Sequence, residues 1–163
     1  MKAGRSQFSY PFRPRSTATL APGQFWEVPL PDGRFACGRV LQLGGSEIPT
    51  PTRSFFGGVH DWIGGEPPTT DSIAGRRLLE TGIMHIKAIT ELGGEVQGCR
   101  SLPLDGIELP ILLSAHGGSG TMLLRGADVL RPAQRDEWGK FPVLGYWGYD
   151  FIRQLAIHHF TNE

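Results

Sequence analysis

Phe25-Trp26-Glu27-Val28-Pro29-Leu30, then Pro31-Asp32-Gly33, then Arg34-Phe35-Ala36-Cys37-Gly38-Arg39-Val40-Leu41 is the stretch on which the fold is read. Pro presets the first turn position, Asp favours the second, and Gly accepts positive φ at the third, so two strands meet in a hairpin. A three-residue loop pairs Leu30 with Arg34, Val28 with Ala36 and Trp26 with Gly38. A two-residue Asp32-Gly33 turn would instead set Trp26 against Arg39; Pro31 favours the longer loop. One face then carries Trp26, Val28, Leu30, Ala36, Gly38 and Val40, large residues against small. The other carries Phe25, Glu27, Phe35, Cys37 and Arg39, with Glu27 diagonal to Arg39 and in reach of it. Pro29 has no N–H to donate, which marks an edge at that position.

Downstream, Gly and Pro break up residues 44–70, leaving Ser54-Phe55-Phe56 and Val59-His60-Asp61-Trp62-Ile63 as two short strands. Thr69-Thr70-Asp71 offers N-caps for a short helix to about Glu80, weakened by Gly75. Ile83 to Ile89 alternates Met84, Ile86 and Ala88 with His85 and Lys87, the period of a half-buried strand. Leu92-Gly93-Gly94 turns the chain, and 96–100 forms a returning strand. Pro110 to Ser114 and Thr121 to Leu124 flank a glycine-rich tip at 116–120, a further hairpin. From Trp147 the period changes: Phe151, Leu155 and His159 make one row and Ile152, Ala156 and Phe160 the next, the stripe of a helix of about 13 residues. The fold class is α+β, a strongly bent antiparallel sheet or partial small barrel capped by a C-terminal helix. Residues 1–16, with Pro11 and Pro14 among Phe8, Tyr10 and Phe12, read as an extended arm before a single domain at 17–163.

Composition agrees with one domain. Of 163 residues, 39% are apolar and 20% charged, and the chain holds 23 Gly and 13 Pro. That is well above the usual share of about 12% for the two together, and favours strands and turns over long helices. Sixteen Lys and Arg balance 16 Asp and Glu. A neutral chain has no overall field to draw it onto nucleic acid or an anionic membrane. No apolar run is long enough for a signal peptide or a membrane helix, so the expected compartment is the cytoplasm. Cys37 and Cys99 belong to no CxxC pattern; they read as buried free thiols, with pairing between them the alternative.

The chain offers little to catalysis. Gly117-Gly118-Ser119-Gly120 lacks the Gly-Lys-Ser/Thr ending of a phosphate loop. His158 and His159 point about 100° apart on a helix, so they do not form the i,i+4 pair a metal needs, and no metal or other cofactor is expected. His60-Asp61 resembles a base with its orienting carboxylate, yet no nucleophile stands in a recognisable elbow, and a polar turn accounts for the pair equally. Trp26 and Trp147 lie in apolar patterns and read as core. Trp62, beside Asp61 and near Glu66, and Trp138, beside Asp136 and Glu137, lie in loop-like stretches. They are either interface anchors or indoles folded back on their own domain. Asp61, Trp62, Glu66 and Trp138 are therefore the candidate partner-binding residues.

Pro22 to Leu41, with its Phe-Trp-Glu-Val-Pro-Leu-Pro-Asp-Gly run and Gly38-Arg39-Val40, resembles the opening of the immunity protein 26 family of bacterial polymorphic toxin systems. Gln24 stands where that family usually has an acid. Trp147-Gly148 followed by Phe151, Leu155 and Phe160 is similar to its closing Trp and amphipathic helix. The resemblance implies a non-enzymatic cytoplasmic antidote that binds a cognate toxin domain and blocks it, with the matched residues structural rather than toxin-facing. A patch of Asp61, Glu66 and Asp71 would serve as a local acidic mimic if the toxin were a nuclease. The alternative is a small-barrel nucleic-acid-binding module, suggested by Arg34, Arg39, Arg76 and Arg77 beside the sheet.

Overall fold

The structure, a computed structural model, describes residues 9–115 and 118–160. The first half of the extended arm, including Phe8, and His116 and Gly117 at the second hairpin tip lie outside these. Five strands form the larger sheet: β1 (Gln24–Pro29), β2 (Phe35–Gln42), β3 (Ser54–Gly64), β4 (Leu78–His85) and β5 (Val96–Cys99), in the order β4-β3-β2-β1-β5. A second sheet contains β6 (Ile111–Leu113), β7 (Met122–Arg125) and β8 (Asp128–Pro132) in sequence order. All ladders are antiparallel. Two helices complete the fold, α1 (Lys87–Thr90) and α2 (Phe151–Phe160). The architecture is the expected α+β: two antiparallel sheets, of five and three strands, and a C-terminal helix, with no closed barrel.

The decisive hairpin has the longer loop. Trp26 pairs with Gly38 and Val28 with Ala36, while the Leu30 amide donates to the Arg34 carbonyl at 2.9 Å. Asp32 accepts from the Arg34 amide and guanidinium, which locks the turn. β5 pairs with β1 only from Gln24 to Trp26, so Pro29 sits where that side of β1 is unpaired. The two short strands expected at 54–56 and 59–63 are one strand of eleven residues, Ser54–Gly64, with Gly57 and Gly58 inside it. A Cβ at Gly57 would stand 2.9 Å from the Arg39 carbonyl oxygen, and one at Gly58 3.0 Å from that of Glu80. These glycines admit neighbouring backbone rather than turning the chain. The helix expected from Thr69 is a turn: Thr69 and Ser72 hydrogen-bond each other's amides through their hydroxyls, and the chain enters β4 at Leu78. The alternating stretch at 83–89 is the end of β4 followed by α1, although Met84, Ile86 and Ala88 are buried as a set.

Both faces of the large sheet are covered. Trp26, Val28, Ala36, Val40, Phe55 and Val59 pack beneath Ile152, Leu155 and Ala156 of α2. On the opposite face, Leu41, Phe56 and Ile83 meet Leu112 and Leu124 of the small sheet, and Phe25 and Cys37 meet Trp62 and Ile73. Of the two apolar rows read on α2, Ile152 and Ala156 face inward with Leu155, whereas Phe151 is 42% exposed.

An extended segment at 142–147 ties the sheets together. The Leu113 amide donates to the Pro142 carbonyl and the Leu144 amide to the Leu113 carbonyl, both at 2.8 Å. The Ile83 amide then donates to the Gly145 carbonyl, and the Trp147 amide to that of Ile83, again at 2.8 Å. The segment thus pairs in parallel with β6 and then with β4, the facing edges of the two sheets. At the far edge of the large sheet, Phe12 of the arm exchanges two backbone hydrogen bonds with Val96. The outermost strand of the small sheet, β8, is exposed along its length, with Asp128, Arg131 and Pro132 to discourage further pairing.

Candidate protein-binding surface

Four residues were expected at a partner surface, and the structure separates them. Trp62 lies on β3, 8% exposed, packed with Phe25, Cys37 and Ile73. It is a core residue rather than a loop anchor, its ring lying over Gly64, whose added Cβ would meet Cζ2 at 2.7 Å. Asp61, on the outer side of the same strand, accepts from the exposed Arg77 Nε at 3.2 Å. Glu66 and Asp71 are exposed in the loop beyond. The acidic patch is therefore partly neutralised by Arg77. Trp138 is half-buried at the end of a short 3-10 turn, with its Nε1 buried without a partner among the described residues and the Arg135 guanidinium 5.6 Å from the ring centre.

The residues with the most chemical potential form a buried network. Arg39 is fully buried. Its Nε donates to the Gly23 carbonyl at 2.9 Å, Nη1 to His60 Nε2 at 3.0 Å, and Nη2 to Asp105 Oδ2 at 3.0 Å and to the Arg100 carbonyl. The expected partner Glu27 plays no part; burial, then the nearby Glu95 charge, pushes its carboxyl upward. Asp105 also accepts from the Gly75 amide and Arg100 Nε, each at 2.8 Å. Burial works to raise the Asp105 carboxyl, but these donors outweigh it and hold it below the usual range. Because a guanidinium only donates, His60 Nε2 must accept, and Nδ1 carries the proton toward the Arg77 carbonyl at 3.3 Å. Burial, followed by the Arg39 charge, lowers His60 to about 4. His60 and Asp61 face opposite ways on one strand, so they are not a base and its orienter. The sequence reading missed Asp105 because it lies 66 positions from Arg39 in a proline-rich turn.

Other chemically suggestive side chains are dispersed. Cys37 is buried and Cys99 exposed, both free, so only the first fits the reading of buried thiols. Burial pushes both thiols up. His159 Nε2 lies 3.3 Å from a Glu80 carboxylate oxygen, and no group of three His, Cys, Asp or Glu is placed to hold a metal among the described residues. The four arginines beside the sheet form no free basic stripe: Arg39 is buried, Arg34 pairs with Asp32 and Arg77 with Asp61, which leaves Arg76 exposed with a contact to the Asp61 carbonyl.

Exposed apolar area gathers instead on the tying segment and the start of α2. Val143 is 59% exposed, Tyr146 49%, Tyr149 47% and Phe151 42%. Two of them stand on backbone held by the sheet edges. Val143 lies between the two bonds to Leu113, and Tyr146 between the two bonds to Ile83. Trp147 covers Gly82 of β4, whose added Cβ would sit 2.3 Å from Nε1, and stacks edge-on to Phe151 at 5.4 Å. The Tyr146 hydroxyl donates to the Glu47 carbonyl at 3.3 Å. Aromatic side chains on rigid backbone lose little entropy on binding and are enriched at the centres of protein interfaces. No helix among the described residues is long and apolar enough to cross a membrane. The fold and surface define an α+β chain with an exposed, mainly aromatic ridge along residues 143–151. No family model matches this chain, and no curated protein or solved structure does.

Proposed function

We propose that the chain is a non-catalytic binding protein of the immunity type, which neutralises a toxin domain by occluding it through a protein–protein interface. The observation that carries the binding half of this reading is the exposed ridge of Val143, Tyr146, Tyr149 and Phe151, the first two on backbone bonded to the edges of the two sheets. The toxin half rests on the resemblance of residues 22–41 and 147–160 to immunity protein 26 members. The structural roles of the matched residues accord with it: Gly38 seats Trp26, and Arg39 organises the buried network. A neutral imidazole sealed beneath Arg39 supports a structural role for His60 rather than proton transfer.

Co-expression with the product of the adjacent gene tests the proposal. The two should co-purify and growth should be rescued; absence of both would end it. A Tyr146→Ala/Tyr149→Ala double variant should weaken the complex by about 2 kcal/mol or more while leaving the urea midpoint near wild type. Full affinity in that variant would move the interface elsewhere.

A further inference from the structure

Where residues 13–15 of the arm cross the end of β4 and the start of α1, a groove of about 710 Å³ opens to solvent. Arg13, Arg15, Arg53 and Lys87 line it with His85, over a floor of Pro14 and Ile86, and among the described residues Glu91 is the one carboxylate on its wall. No ion pair engages any of the four cations among the described residues. Two guanidinium groups are nevertheless fixed. Arg13 Nη2 donates to the Thr90 carbonyl at 3.1 Å, and Arg53 Nη1 donates to the Arg15 carbonyl. Each such contact uses one of five N–H donors and leaves the rest of the fork available. The His85 imidazole, whose Nδ1 accepts from the Lys87 amide, is held below its usual range by burial and then by Lys87 and Arg53. In a chain of net charge zero this concentration of unpaired positive charge is local.

We propose that the groove receives an acidic segment of the protein partner, a stretch carrying two or more Asp or Glu side chains, and forms the electrostatic end of the interface centred on the aromatic ridge. The inference rests on the binding function proposed above. Continuity along β4 supports it: His85 lies two residues, about 7 Å of strand, beyond Ile83, which bonds to Gly145 and Trp147. Forked Arg donors match carboxylates in pairs. Among the described residues no aromatic ring but that of His85 lines the groove, so they offer no stacking platform of the kind single-stranded nucleic acid uses.

Fluorescence anisotropy with a fluorescein-labelled hexaglutamate peptide at low salt tests the groove on the intact protein. The peptide should bind at least tenfold more weakly to Arg53→Gln/Lys87→Gln, and near normally to Arg34→Gln/Arg125→Gln, which loses the same charge elsewhere. Equal losses in the two variants, or no binding to wild type, would overturn the inference. Stronger competition by tripolyphosphate or a 12-base-pair duplex than by unlabelled peptide, at matched charge, would also overturn it by assigning the groove to phosphate. The adjacent gene's product separates the two proposals. If wild type captures it and Arg53→Gln/Lys87→Gln captures it equally with the same salt dependence, the groove inference fails and the binding function stands. If wild type does not capture it, the binding function fails with its acidic segment, and a positive peptide titration leaves the groove a general carboxylate site.

Discussion

A methyl group added at position 38 would sit 2.3 Å from Cζ2 of Trp26, whose ring is fully buried and held edge-on by Phe55 at 5.6 Å. Neither partner has room to yield, so Gly38→Ala should cost about 1–3 kcal/mol, read as a lower urea midpoint. An unchanged midpoint would mean that the ring does not rest on Gly38. Trp62→Ala should cost about 3–5 kcal/mol of stability, since the ring fills the space between Phe25, Cys37 and Ile73. The Arg39 network predicts acid lability. His60 titrates near 4 in the fold against 6.5 in the unfolded chain, so the unfolded state takes up the proton first. Stability is therefore full above about pH 6.5 and declines as pH falls toward 4, and the depressed Asp105 carboxyl extends the loss below its ordinary 3.8. His60→Gln should flatten the upper part of this decline in urea melts between pH 7 and pH 4.5. A wild-type midpoint constant over that range would rule out a buried neutral imidazole. Asp105→Ala, which leaves the buried guanidinium without its carboxylate, should destabilise by about 3–5 kcal/mol.

Among the elements, the hairpin of β1 and β2 was legible because its determinants are local: a turn of known chemistry and a period of two on either side. The segment at 142–147 was not, because its partners lie about 30 and 60 residues away and its polar–apolar pattern has no period. Glycine misled in a specific way. Gly64, read as a break, is a floor for the Trp62 ring, as Gly38 is for Trp26, Gly82 for Trp147 and Gly98 for Phe25. A composition that suggested turns therefore also reflects aromatic packing within strands. The tying segment makes its own prediction. In native-state hydrogen exchange the amides of Ile83, Leu113, Leu144 and Trp147 should be protected as strongly as those of β2 and β3. Rapid exchange at these four positions would show that the sheets are not joined there.

Across the whole molecule, α+β organisation and a C-terminal helix followed from periodicity, whereas the covering of both sheet faces did not. Arg39, Cys37 and Phe25 alternate with apolar neighbours as a solvent-facing row would, yet Trp62 and Ile73 cover Phe25 and Cys37, and the turn carrying Asp105 closes over Arg39. For the same reason Trp62 looked like a surface anchor, while the exposed ridge lay in a stretch read mainly as the approach to a helix. Shared clusters on both faces predict a single cooperative urea transition when fluorescence and circular dichroism are overlaid. Two separated transitions would show that the small sheet folds by itself. The closing segment has a consequence for synthesis. Residues 142–160 supply both the clasp on β4 and three inward side chains of α2, so a chain growing from the ribosome can form its first hairpin early but must hold Phe55, Val59 and Met84 without their cover until these last residues emerge from the exit tunnel. Premature termination just upstream of the clasp would therefore release a sticky polypeptide for proteases to clear, rather than a smaller working domain.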